Sequence, residues 1–183
     1  MRERGFTLTE LLISIALFAT LAGMAVALMG TATQVMRANS QASRVSGLIQ
    51  LARENAIRTQ RDLELTVDDE SNSVRVVRTE DGVASTVAEV SLEYQVQLRM
   101  LAEFAGTDTP DAFGNADAVD FGGAARLFFI SEGSLVDEDS VPVNGTIFMG
   151  VTDQPLTGRA ITITGTTARP RKYRWMGNTW AAQ

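Results

Sequence analysis

The polar and apolar positions of this 183-residue chain change their pattern twice. From Leu11 to Gly30 no residue is charged, and at about 1.5 Å per residue these positions make a helix of about 30 Å, the thickness of a bilayer core. Apolar residues then recur every three or four positions, with polar side chains between them. The pattern predicts one helix from about Phe6 to about Arg61, apolar all round in its first half and amphipathic in its second.

The second half of this helix carries its apolar residues in one stripe. No proline intervenes, and Gly47 is only a mild interruption. The stripe needs a surface to cover it, and the rest of the chain supplies one. Its members are Val35, Ala38, Ala42, Val45, Leu48, Ile49, Ala52 and Ala56.

Beyond Arg61 the apolar positions alternate, which is typical of strands. Asp68–Asn72 predicts the turn of a first hairpin, and residues 103–123, rich in Gly, Asp and Ala, predict a long loop. A mainly antiparallel sheet packed on the amphipathic half-helix buries both apolar faces, so the predicted fold class is α+β. The predicted strands cover residues 63–67, 74–78, 83–90, 92–98, 126–131, 146–151, 161–164 and 172–176.

Charges near the uncharged stretch indicate how it lies in a membrane. Arg2 and Arg4 precede it, and the positive-inside tendency keeps the first residues in the cytoplasm and sends the chain after Gly30 across. A secretory signal peptide is the competing interpretation, but its apolar core spans only about 7 to 15 residues. Here the core is longer, and Glu10 lies at its entrance.

Glu10 is the unusual residue of this stretch, because a carboxylate near hydrocarbon is costly unless a cation pairs with it. A cut between Gly5 and Phe6 would create such a cation, a free α-amine at Phe6. Within one helix that amine lies on the next turn, so it is better placed to meet Glu10 of a neighbouring copy. The prediction is a pairing between subunits.

These residues resemble the start of the type IV prepilin family, which has a short basic leader, a Gly-Phe junction, a Thr-Leu-x-Glu-Leu-Leu run and an apolar helix. In that family a prepilin peptidase cleaves after the glycine and methylates the new phenylalanine amine, which implies Gly5 and Phe6 here. The family's glutamate pairs with the terminal amine of the adjoining subunit, which implies that assembly role for Glu10. The matching residues are Gly5, Phe6, Thr7, Leu8, Glu10, Leu11 and Leu12.

Composition excludes several chemistries. The chain has no histidine and no cysteine, which rules out Ser-His-Asp and Cys-His arrangements, histidine-ligated zinc, disulfides and iron–sulfur sites. Lys172 is its single lysine, and no spacing singles out a pair of carboxylates for acid/base work. We therefore expect no enzyme activity, no metal and no cofactor.

Two acidic segments are the remaining cation candidates. Asp68–Asn72 lacks the regular oxygen spacing and central glycine of an EF-hand, so it is better interpreted as a solvated turn. Asn115, Asp117 and Asp120 could gather a hard cation in the predicted loop, but their spacing does not specify one. Neither segment is a predicted metal site.

Later stretches narrow the resemblance. Residues 45–58, with their Leu-Ala-Arg-x-x-Ala-Ile run, are similar to the helix end shared by H-type minor pseudopilins of type II secretion and FimT-type minor pilins. Residues 127–133 and 161–164 and the basic tail after Gly165 are similar to the strand–glycine–strand order of that same GspH/FimT domain. Together with the leader, the resemblance covers most of the chain.

The basic tail has two interpretations. Between Glu103 and Gly158 the chain carries ten acidic residues against Arg126 alone, whereas residues 169–175 hold four cations and two aromatic rings. The tail resembles the basic Gly-Arg-x-Arg stretch through which FimT-type minor pilins bind DNA. Ala168 stands at the glycine position here. Arginines on phosphates and rings stacked on bases would suit a single strand. The other interpretation, which we favour, is a final strand with Tyr173 and Trp175 in the core and Arg174 in water. The possible DNA-binding residues are Arg169, Arg171, Lys172 and Arg174.

The sequence therefore predicts a noncatalytic minor pseudopilin or pilin of the inner membrane, with one pass and a periplasmic domain. The predicted partners are other pilin or pseudopilin subunits, the prepilin peptidase, the inner-membrane assembly platform and membrane lipid. A DNA-capturing subunit for natural transformation and a plain anchor for an unrelated binding domain are the alternatives. The predicted divisions are a leader at 1–5, an assembly helix at 6–30, its amphipathic half at 31–61 and a β-rich domain at 62–183.

Overall fold

One long helix dominates the computed structural model, which describes residues 7–104, 108–114 and 116–183, without the side chains of 25–29 and 31. Helix α1 runs over Leu8–Thr59, 52 residues and roughly 80 Å at 1.5 Å per residue. It ends because Gln60 adopts a left-handed conformation (φ 52°) and its N–H returns to the carbonyl of Ala56. The predicted continuous helix is confirmed, while its expected start at Phe6 lies outside the described residues.

Among the described residues, no helical stretch is both long enough and apolar enough to cross a bilayer. The predicted span, Leu11–Gly30, includes positions 25–29, whose side chains lie outside the description.

The β-rich part of the chain forms two sheets. A five-stranded sheet has the order β3-β2-β1-β6-β7 and a six-stranded path the order β11-β10-β9-β8-β4, with β5 also paired to β8; the described pairs are antiparallel. The bounds are β1 Leu63–Asp68, β2 Ser73–Glu80, β3 Val83–Ser91, β4 Gln97–Leu98, β5 Val119–Asp120, β6 Leu127–Phe129, β7 Leu135–Val136, β8 Gly145–Val151, β9 Gln154–Thr164, β10 Arg169–Trp175 and β11 Trp180–Ala182.

The main core lies between the second half of α1 and the two sheets. It buries the predicted stripe of the helix from Ala38 to Ala56, with Ala38, Ala42 and Ala56 fully covered by the domain, while Val35 is half-buried. A second, aromatic core covers the outer face of the six-stranded sheet, where Phe104, Phe148 and Trp175 meet Trp180. The predicted packing of helix on sheet is confirmed.

Three expectations for the β domain were wrong. The predicted strand at 92–98 shrinks to β4, because Tyr94 and Gln95 take positive φ angles (60° and 66°) where the chain turns from one sheet to the other. The predicted structureless loop at 103–123 contains 3₁₀ turns at Ala102–Phe104 and Pro110–Ala112 and strand β5. The strand expected to be last, β10, is followed by β11, which pairs with it through Trp175 and Trp180.

Candidate functional site

The described start of helix α1 is a capping box. Thr7 is the N-cap, and its hydroxyl oxygen accepts a hydrogen bond from the Glu10 N–H at 3.3 Å. In return, Glu10 Oε2 accepts from the Thr7 N–H at 3.0 Å and from the Thr7 hydroxyl at 2.8 Å. Among the described residues, the hydrogen bonds to this carboxylate all end on Oε2, and a carboxylate offers acceptor positions on both oxygens. Gly5 and Phe6 lie outside the described residues.

The first half of α1 exposes apolar side chains on every side. Its hydroxyls fold back on the helix: Ser14 donates to the Glu10 carbonyl and Thr20 to the Leu17 carbonyl, both at 2.8 Å. Such bonds satisfy polar groups without water. Between Leu11 and Met24 the described surface of the helix is therefore almost wholly apolar. The large exposed side chains of this half are Leu8, Leu11, Leu12, Ile13, Ile15, Leu17, Phe18, Leu21 and Met24.

The four cations of the tail are divided between the two faces of β10. Residues that pair across neighbouring strands share a face. Lys172 pairs with Ile161 of the main core, and Tyr173 pairs with Ala160 of the aromatic core. Alternation then places Lys172 and Arg174 on the helix side, and Arg169 and Arg171 on the outer side. Residues 169–175 form a strand, as predicted, with Trp175 buried, Tyr173 half-buried and Arg174 exposed.

Two of these cations have partners within the chain. Lys172 Nζ donates to the Ser43 hydroxyl of helix α1 at 3.1 Å. Arg171 donates to Asp111 Oδ1 at 3.1 Å and forms an ion pair with it. Arg169 is exposed, like Arg174. The structure thus does not bring the four predicted side chains together as one basic surface.

Asp111 holds the acidic segment 108–114 against the outer face of the six-stranded sheet. Its carboxylate accepts from the Thr162 hydroxyl at 2.6 Å and from the Tyr173 hydroxyl at 2.8 Å, in addition to Arg171. Burial by itself raises the pKa of Asp111, but these donors outweigh it and hold the pKa below its usual range. Sequence reasoning counted this residue among the loop acids without giving it a role; its position beside Pro110 was the available signal.

Arg159 joins the helix to the six-stranded sheet. Its guanidinium donates to Asn39 Oδ1 at 2.6 Å, and also to the carbonyls of Gly158, Leu156 and Val35 at 2.6, 3.0 and 3.4 Å. The side chain is almost completely buried. Sequence reasoning missed Arg159, although a charged residue directly before the apolar positions 160 and 161 of β9 was a usable signal.

The described acidic residues do not form a metal centre: no three of them gather closely enough to hold an ion. Asp120 accepts hydrogen bonds from the N–H groups of Ala116 and Gly122, both at 2.9 Å. Asp68 accepts from the Ser71 N–H at 3.0 Å, which closes the first hairpin turn. Asn115 lies outside the described residues.

The N-terminal 26 residues match the family described as the prokaryotic N-terminal methylation motif. This motif opens a long helix that packs on an antiparallel β domain, and this α+β architecture is a pilin-like fold. No curated protein is similar enough to count as a match.

The solved structures similar to this chain include a minor pilin and a minor pseudopilin. The type IV minor pilin FimU of Pseudomonas aeruginosa is 13% identical, with a TM-score of 0.50, over 78% of this chain and 91% of FimU. The minor pseudopilin EpsH of the Vibrio cholerae type 2 secretion system is 14% identical, with a TM-score of 0.47, over 80% of this chain and 96% of EpsH. At this level of identity, the likeness to FimU concerns the fold.

Proposed function

We propose that this chain is a noncatalytic minor pseudopilin or pilin, built into a type II secretion pseudopilus, where it supports protein secretion, or into a type IV pilus. One observation carries the proposal: the first half of α1 is apolar and exposed, while the second half is buried against its own domain. The described side chains of residues 8–24 are therefore left exposed by the chain's own β domain. Exposed apolar patches larger than a few hundred Å² mark interaction or membrane surfaces.

The apolar half of α1 has two successive environments in this proposal. It first holds the chain in the inner membrane by a single pass, with the β domain in the periplasm, as the charges at Arg2 and Arg4 favour. It then packs against the same region of neighbouring subunits, which replaces lipid with apolar side chains. The methylation motif at residues 1–26 supports this sequence of events. The prepilin peptidase and an inner-membrane assembly platform are the further proposed partners.

Glu10 sets the axial register in this account. Its carboxylate lies at the start of the apolar half and is held toward the helix N-terminus by Thr7. The α-amine of a processed Phe6 on the adjoining subunit is the proposed partner, since it is a cation at the same depth. The pairing offsets the cost of placing a carboxylate in an apolar environment.

Glu10→Val tests this role in a competition between variant and wild-type subunits. Membrane insertion and processing should remain, while incorporation into the filament should fall, because the unpaired α-amine then has no carboxylate to meet. Glu54→Val, the same change on the exposed part of the amphipathic half, is the matched control and should incorporate normally. Equal incorporation of the Glu10 variant and wild type would remove the pairing role.

DNA capture for natural transformation is the second proposed function. The observation in its favour is that Arg169 and Arg174 are exposed on a strand that also carries Tyr173. We place it second because Arg171 is neutralised by Asp111 and Lys172 is bound to Ser43.

A further inference from the structure

A groove lies where helix α1 leaves the β domain. It has a volume of about 590 Å³ and is lined by Gly30 and Gln34 of the helix and by residues 153–157. These residues join β8 to β9 and form the first positions of β9, and this end of the hairpin is called the β8–β9 turn below. Leu156 projects from this turn with half of its surface exposed (50%). Gln34 Oε1 is buried and has no hydrogen-bond partner among the described residues. This turn is the part of the β domain that approaches the projecting helix at Gly30.

Arg159 fixes the height of the turn along the helix. Its guanidinium donates both to the Leu156 carbonyl and to the Val35 carbonyl, so these two carbonyls lie on either side of one planar group. Val35 is five residues beyond Gly30, which corresponds to about 7.5 Å along a helix. Leu156 therefore lies within about two helical turns of the end of the predicted span.

The headgroup layer of a bilayer occupies the same interval. A hydrocarbon core of about 30 Å within a total thickness of about 40–45 Å leaves roughly 5–8 Å of headgroups on each side. A typical helix tilt of about 20° changes the height of a point about 10 Å from the axis by only about 3 Å. With Gly30 at the edge of the hydrocarbon, Leu156 falls at the level of the headgroups.

We propose that the β8–β9 turn is a second membrane contact, in which Leu156 inserts among the lipid headgroups beside the exit of helix α1. The inference rests on the proposed function, because it uses the anchor to set the depth of the chain. Lipid is the favoured occupant because it surrounds this level in every unassembled subunit, whereas another subunit reaches it only in the filament.

The contact is apolar in character. Arg99 donates a hydrogen bond to the Thr152 hydroxyl at 2.8 Å, which holds a cation beside the turn. Asp153 on the same turn carries the opposite charge, so Arg99 and Asp153 together add little electrostatic attraction for anionic lipid. Leu156 and Pro155 then provide the contact, and its strength should change little with salt.

Because the chain has no cysteine, single labelled cysteines can test the depth of chosen positions in the full-length protein. We would label Leu156→Cys with an environment-sensitive fluorophore. The protein would be reconstituted at a low protein-to-lipid ratio in vesicles of phosphatidylethanolamine and phosphatidylglycerol. Val83→Cys is the matched control, since Val83 is an equally apolar, exposed residue (69%) at the tip of the β2–β3 hairpin. Arg61 near the helix end pairs with Glu80 of this hairpin, so position 83 lies far from the membrane.

The label at position 156 should be quenched by headgroup spin-labelled lipid and lose most of its quenching by aqueous iodide, while the label at 83 should remain open to iodide. Equal iodide quenching at 156 and 83 would overturn the inference. Protection at 156 that arises only when other filament subunits are added would also overturn it, in favour of a subunit contact. Leu21→Cys reports the anchor separately: if its label is quenched by iodide, the proposed membrane anchor has failed instead.

Discussion

At the scale of single residues, Arg159 is the least expected part of the fold. It is a fully buried cation, and among the described residues its guanidinium contacts an amide oxygen and three carbonyls rather than a carboxylate. Burial lowers the pKa of Arg159 to about 10, and the nearby charge of Arg174 adds to the effect. The side chain is still charged at neutral pH, so it depends on these oxygens to replace water.

Arg159→Lys should therefore destabilise the domain. An ammonium cannot reproduce the planar fork that serves Asn39, Leu156 and Val35 at once, and unsatisfied buried carbonyls cost about 1–3 kcal/mol. We expect the free energy of unfolding of a fragment spanning 31–183 to fall by about 2 kcal/mol in urea denaturation. Arg169→Lys, an exposed change of the same kind, should leave it unchanged. Equal stability of the two variants would contradict the joining role of Arg159.

At the scale of elements, the turn at Pro110–Ala112 acts as a strap across the six-stranded sheet. Asp111 and Ala112 both have a positive φ of 56°, a conformation that L-residues adopt only when their surroundings impose it. The donors from Thr162, Arg171 and Tyr173 supply that constraint. The ion pair itself contributes modestly, since Arg171 is largely exposed.

Asp111→Asn should loosen this strap in a pH-dependent way. The folded pKa of Asp111 lies below the unfolded value, so its stabilisation is present above about pH 4. It is lost as the pH falls through the folded pKa. We expect the variant to lose about 1–2 kcal/mol of unfolding free energy at neutral pH, and the difference from wild type to shrink in acid. Asp108→Asn removes the same charge from an exposed position in the same loop and is the control. A pH-independent difference between wild type and Asp111→Asn would contradict the account.

The elements that could be predicted from the sequence are those long enough for the spacing of their apolar residues to repeat. Helix α1 and strands β1, β2, β3, β8 and β10 follow from apolar residues at helical or alternating spacing. Strands β5 and β7 have only two residues each, and their pairing with distant strands determines them. Alternation also failed at 92–98, because Leu92, Val96 and Leu98 are buried on either side of a turn.

The candidate site was predictable to a similar extent. The apolar half of α1 and the position of Glu10 are local features of the sequence, so pattern alone found them. The spatial separation of the basic tail was not predictable from its composition, because it depends on which neighbours β10 pairs with. The contact of Asp111 with Thr162 spans 51 positions in the chain and that of Arg159 with Asn39 spans 120, and no local pattern records such distances.

At the scale of the whole molecule, the distribution of charge bears on the choice between the two proposed functions. The chain has a net charge of −6, and the acidic segment that contains Asp111 lies on the same sheet as the basic strand. At about 0.15 M salt the Debye length is about 8 Å, so acidic side chains within this distance of the basic strand would still repel a polyanion. The balance favours a scaffold over a receptor for a polyanion.

The fragment 31–183 should accordingly bind DNA weakly or not at all at about 0.15 M salt. Binding to single-stranded DNA can be measured by fluorescence anisotropy across a salt series. Arg169→Gln combined with Arg174→Gln is the diagnostic variant, because it removes two exposed cations of β10 and leaves the Arg171–Asp111 and Lys172–Ser43 contacts in place. Micromolar or tighter binding that this variant abolishes would overturn the scaffold proposal in favour of DNA capture.

The central claim is that the chain is processed and assembled as a pilin-like subunit, and processing is its most direct test. Intact-mass measurement of the protein from its native membrane, in a host with an active prepilin peptidase, reads out both proposed steps at once. We predict the loss of Met1–Gly5 and the gain of one methyl group on the new N-terminal residue, Phe6. Recovery of the full-length, unmodified chain from that membrane would contradict the account.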